Sequence, residues 1–152
     1  MTDEKSSYAE KYRIDRPAEA DFMEMLDLLC LVEDMYAVGE NYAEALDKLN
    51  TCLKQPAGID DIRDYYGFQD ETDFIISRCV PDYRDFRDLP DEELLWLISG
   101  VIDNMEDDYI PVFYCAVIDY NTSARPGRCN ELIFLDNMKE PVKILETLKA
   151  GK

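Results

Sequence analysis

Residues 58–66 read GIDDIRDYY, which sets three carboxylates, Asp60, Asp61 and Asp64, against two adjacent tyrosines, Tyr65 and Tyr66. Groups of these types can move protons, hold a hard cation or grip a basic partner. Acid–base chemistry gains little support. Carboxylate pairs such as Asp107 with Asp108 recur, but 34 acidic residues make such pairs inevitable, and they read as a solvated face. The chain has no histidine. This removes the commonest general base, the Ser-His-Asp and Cys-His triads, and histidine-based zinc sites. No Gly-rich phosphate loop and no calcium-binding loop is present. The expectation is therefore no catalytic residue, no metal and no cofactor. Gripping a basic partner remains.

Charge favours the same reading. Against the 34 acids stand 16 basic residues, a net charge of −18. A magnitude of about 2–8 is enough to keep a small domain soluble. The excess repels nucleic acid and anionic membrane and attracts basic proteins at long range. It is also uneven: residues 1–85 hold 21 acids and 9 bases, residues 86–152 hold 13 and 7. A 47% hydrophobic content argues for a packed core rather than an acidic disordered tail.

The five cysteines form no CxxC pair and are odd in number. With apolar neighbours around Cys30, Cys52 and Cys115, they read as buried free thiols in a reducing compartment. The polar start MTDEKSSYAEKYRIDRP has no apolar core of a signal peptide, and no apolar run reaches 18 residues. A soluble cytoplasmic protein is expected.

The elements that must position the acidic tyrosines are mostly helical. Residues 1–16 read as a frayed lead-in, with Pro17 in the first turn of a helix. Phe22, Met25, Leu26, Leu29, Cys30 and Val32 recur at three and four, and Gly39 ends that helix. Tyr42, Leu46, Leu49 and Leu53 line a second helix, which stops before Pro56. The GIDDIRDYY segment follows, and a helix opening at Asp70 turns Phe74, Ile75 and Val80 inward. PDYRDFRDLP reads as a linker and 90–105 as a clear helix. Residues 109–120 suit either strand or helix; ELIFLD is a short apolar element, and a last helix ends at Gly151. The fold class expected is mainly α: a single-domain bundle of roughly six to eight helices. The alternative is α+β, with a hairpin pairing 109–120 and 130–136.

The order of elements in 19–80 parallels that in 90–151. EADFMEMLDLL stands opposite DEELLWLISGV, and DETDFIISRCV opposite KEPVKILETLK. This predicts two internal repeats within the chain.

Two helices, a Pro/Gly break, a short acidic segment ending in Tyr-Tyr and an acid-opened helix resemble a known family. It is that of the small four-helix immunity proteins, which inhibit colicin- and pyocin-type nuclease toxins. The resemblance implies two four-helix repeats and a non-catalytic protein that binds a basic nuclease toxin domain. It also implies that Asp60, Asp61, Asp64, Tyr65 and Tyr66 form the binding surface, with Glu40, Glu44 and Asp47 on the second helix. The wider class of contact-dependent growth inhibition immunity proteins is similar in the same respects. Gly67 stands where that family has a proline, and Ile133-Phe134 where a second repeat would carry its tyrosines.

Physical chemistry supports an inhibitor on its own terms. A nuclease presents Lys and Arg to phosphates; carboxylates speed the encounter, and buried tyrosines supply affinity. Two other functions fit the sequence. One is a nucleic-acid mimic from a phage or mobile element, aimed at a restriction or CRISPR enzyme. The other is a helical adaptor with a peptide partner. Tyr65 and Tyr66 read equally well as core residues.

Overall fold

The structure, a computed structural model, describes residues 2–65 and 71–151. It is 68% helical, with no strand among the described residues. The chain divides into two compact units: Asp15–Pro81, and Met1–Ile14 together with Asp82–Lys152. The division falls between the two segments that the sequence sets in parallel.

Unit Asp15–Pro81 holds α2 (Glu19–Ala37), α3 (Ala43–Cys52), α4 (Ile59–Tyr65) and α5 (Glu71–Cys79). Met25, Leu29 and Val32, spaced at four and three, form the buried stripe of α2, which packs on α3 and α5. Leu49, Leu53, Ile62, Phe74, Ile75, Ile76 and Val80 complete this core. Full burial of each such side chain contributes about 1.5–3 kcal/mol. The stripe is narrower than the apolar sequence suggests. Cys30 and Leu31 lie outside it and are exposed, as is Cys52 on α3, so only Cys79, Cys115 and Cys129 are buried thiols. Pro17 precedes α2 rather than entering it. Ala18 is extended there, and Glu19 and Asp21 occupy the first turn, where carboxylates favour the positive helix end.

The other unit holds α1 (Thr2–Lys11), α6 (Asp91–Asp103), α7 (Ile110–Thr122), α8 (Arg128–Asn130) and α9 (Pro141–Lys149). Residues 131–135, the first five of the ELIFLD element, form a π-helical turn after α8. Here too the long first helix of the expected repeat, α6, packs on the second, α7, and the last, α9.

Residues 110–120 are helical, so the hairpin alternative does not form. The Asp107 carboxylate accepts the N–H groups of Tyr109 (2.9 Å) and Ile110 (2.7 Å), and Pro111 sits in the first turn, where a missing N–H costs little. Burial of Phe113, Tyr114, Val117 and Ile118 at helical spacing then outweighs their strand preference. Asp107 is thus a helix cap rather than a solvated acid.

The N-terminal segment is no frayed lead-in. Residues 2–11 form α1, and Tyr12 is 1% exposed. Its ring lies 5.0 Å from Phe86, 5.9 Å from Trp96 and 6.0 Å from Tyr114, centre to centre. Its hydroxyl donates to the buried Glu93 carboxylate, which also accepts Lys11 Nζ at 2.6 Å. Burial, then the bond to Glu93, raises the Tyr12 phenol far above its ordinary value. Phe86, in the expected linker, belongs to this aromatic cluster. Asn121 holds it there by donating to the Phe86 carbonyl at 2.7 Å and accepting the Leu89 N–H at 3.2 Å.

Candidate partner-binding surface

The surface predicted from the sequence lies on unit Asp15–Pro81, which carries 16 acids against 5 bases. Its shape starts at the end of α2. Gly39 adopts φ +75°, which glycine alone enters without strain. The Glu40 N–H bonds to the Met35 carbonyl (2.8 Å) and the Gly39 N–H to that of Tyr36 (3.2 Å), the double closure of a Schellman turn. The turn leaves Glu40 exposed. Asn41 Oδ1 then accepts the Ala43 N–H at 3.0 Å and starts α3. Ala45 and Leu49 bury one face of α3, which puts Glu44 and Asp47 on the solvent face. Glu44 meets Lys48 at 3.6 Å, an exposed pair that contributes little.

The loop between α3 and α4 is clamped at several points. Asn50 and Ala57 exchange two hydrogen bonds, at 2.9 and 2.8 Å. The side chain of Gln55 donates to the carbonyls of Ser77 and Val80, at 3.2 and 2.7 Å, and so satisfies orphan groups at the end of α5. Arg78 reaches the Pro56 carbonyl at 3.2 Å and the Asp61 carboxylate at 3.7 Å. These bonds fix where α4 starts, with Ile62 buried and Asp60 facing solvent.

Of the sequence-predicted residues, Glu40, Glu44, Asp47, Asp60 and Asp61 are exposed carboxylates of this unit. Asp61 has a structural task as well. Its Oδ2 accepts the Gly58 N–H at 2.9 Å, half of a capping box at the start of α4. Asp64 and Tyr65 lie on α4, but their side chains, and the whole of Tyr66, fall outside the described residues.

An aromatic pair that the sequence reading missed lies at the turn. Tyr36 and Tyr42 meet edge to face at 5.9 Å, and Tyr36 is 43% exposed. Tyr36 also lines a concavity of about 220 Å³ with Ile59, Ile62 and Arg63. The available signal was two tyrosines flanking a Gly turn; periodicity instead assigned Tyr42 to an inward face. The same unit thus carries exposed carboxylates, an accessible ring and a shallow apolar recess. Among the described residues no helix is long and apolar enough to cross a membrane. No protein-family model, characterised protein or solved structure matches the chain.

Proposed function

We propose that the protein is an immunity-type inhibitor that binds a basic nuclease toxin domain through the surface formed by Glu40, Glu44, Asp47, Asp60 and Asp61. One observation carries this reading: exposed carboxylates of a strongly acidic unit accompany an accessible Tyr36–Tyr42 ring pair. Carboxylates accelerate encounter with a basic partner, and a rigid ring in a desolvated centre slows its release. The net charge is −11 on this unit (16 acids, 5 bases) against −7 on the other (18 acids, 11 bases), an excess that fits a single site on this unit. The protein acts by occupying its partner, without turnover.

The test is titration calorimetry against basic nuclease toxin domains, beginning with one encoded beside this chain's gene, at rising salt. Binding of one domain per chain, weakened about tenfold or more by high salt, is the expected result. Absence of binding to every domain, or binding indifferent to salt, overturns the reading.

A further inference from the structure

Among the described residues, no group of three or more Cys, Asp or Glu side chains is arranged to hold a metal ion. Methionine is also a ligand, for soft ions, and counting it changes the picture. In unit Asp15–Pro81 a cavity of about 470 Å³ is lined by Met25 from α2, Cys52 from the end of α3 and Cys79 from the end of α5. These residues are 27 apart in each step of the sequence, so no motif announces them.

The geometry suits one ion. Cys79 Sγ lies 3.9 Å from Met25 Sδ. Two sulfurs bound at about 2.3 Å to one metal with trigonal angles are ~4 Å apart, so this pair already has the required separation. Cys52 lines the same cavity. Its own side chain is exposed, which gives an entry path, while Cys79 and Met25 are buried.

We infer that Met25, Cys52 and Cys79 form a binding site for one monovalent copper ion, Cu(I). Thiolate and thioether donors select this soft ion, which accepts three ligands. Zinc is held by Cys, His, Asp and Glu, no three of which are grouped among the described residues, and magnesium or calcium require oxygen. On binding, each thiol releases its proton to solvent and the thioether donates a lone pair. Copper remains Cu(I), so no oxidant or reductant is consumed. The site then carries one net negative charge; Lys54 lines the same cavity, as do the carboxylates of Asp15 and Asp21. This inference stands apart from the partner-binding reading and does not depend on it.

The experiment loads the full chain anaerobically with Cu(I) and competes the ion away with bicinchoninate. X-ray absorption then reports the donor atoms. One equivalent held by sulfur alone is expected. C52S and C79S should each weaken binding by about 100-fold or more, and M25L by about tenfold. C30S removes the other exposed thiol and should change nothing. Circular dichroism of each variant checks the fold, and C52S, at an exposed position, keeps the test decisive if C79S unfolds. Undiminished retention by the C52S/C79S double variant, loss of binding in C30S, or nitrogen and oxygen donors in the absorption spectrum would overturn the inference.

Discussion

The buried carboxylate of Asp119 accepts the backbone N–H of Cys129 at 2.9 Å, and through its other oxygen that of Gly127, also at 2.9 Å. One side chain of α7 thus holds the loop that leads into α8. Burial pushes its carboxyl up to about 6, although both N–H groups and Arg125 pull the other way.

This gives a pH dependence. The folded state binds the Asp119 proton more tightly than the unfolded chain, whose carboxyl titrates near its ordinary value of 3.8. Stability from this group is therefore greatest below about 4 and is lost as pH rises through about 6, a difference of up to about 3 kcal/mol. Urea unfolding of the native protein and D119N at pH 7 and pH 4.5 isolates it. The native protein should gain on the variant at the lower pH; a constant gap would refute the assignment.

Tyr12→Phe removes one of the two donors described at the buried Glu93 carboxylate. A loss of about 1–3 kcal/mol is expected. Tyr12→Ala also opens a cavity among Phe86, Trp96 and Tyr114 and should cost about 3–5 kcal/mol. Denaturant midpoints decide, and a neutral Tyr12→Ala would mean that residues 1–14 contribute nothing to the unit.

Gly100 on α6 lies against the Tyr114 ring. A Cβ there would come within 2.7 Å of Tyr114 Cε2. Helix propensity alone predicts that Gly100→Ala stabilises by about 1 kcal/mol. Overpacking should reverse the sign to a loss of about 1–3 kcal/mol. Thermal melting reports the direction, and a raised Tm would show that α6 and α7 separate without cost.

Asp60 and Asp61 are neighbours with different tasks. Asp61→Ala removes a bond at the start of α4 and should lower stability by about 0.5–2 kcal/mol. Asp60→Ala, with its carboxylate in solvent beside Arg63 at 3.1 Å, should change stability by less than about 0.5 kcal/mol. Equal effects in urea melts would contradict the capping role.

At the proposed surface, charge and ring variants should separate kinetically. Glu40→Lys and Glu44→Lys should slow association and reduce its salt dependence, whereas Tyr36→Ala should speed dissociation by an amount worth about 2 kcal/mol. Surface plasmon resonance against a bound nuclease domain distinguishes them. Unchanged rates in all three variants would place the interface elsewhere, with residues 131–136 next to be examined.

The sequence by itself determined the helical class, the stops at Gly39 and Gly151, the inward faces of Leu49, Phe74 and Ile75, and the acid content of the surface. These follow from periodicity, backbone permission and composition, all of which are local. Tertiary structure decided the rest. Residues 109–120 carry strand-forming side chains, yet a cap from Asp107 and burial on one helical face make them α7. The polar segment 1–16 hides Tyr12, whose worth depends on rings about 74 to 102 positions away that no local window contains. Cys30 has the sequence surroundings of a core thiol and is exposed, because packing centres on the Met25, Leu29 and Val32 face of α2 and leaves Cys30 outside it. Met25, Cys52 and Cys79 carry no motif, and the pairing of Tyr36 with Tyr42 depends on a Gly turn that redirects the chain. Such groupings depend on which helix faces meet, and that is settled by the free energy of the whole packed unit rather than by any one segment of it.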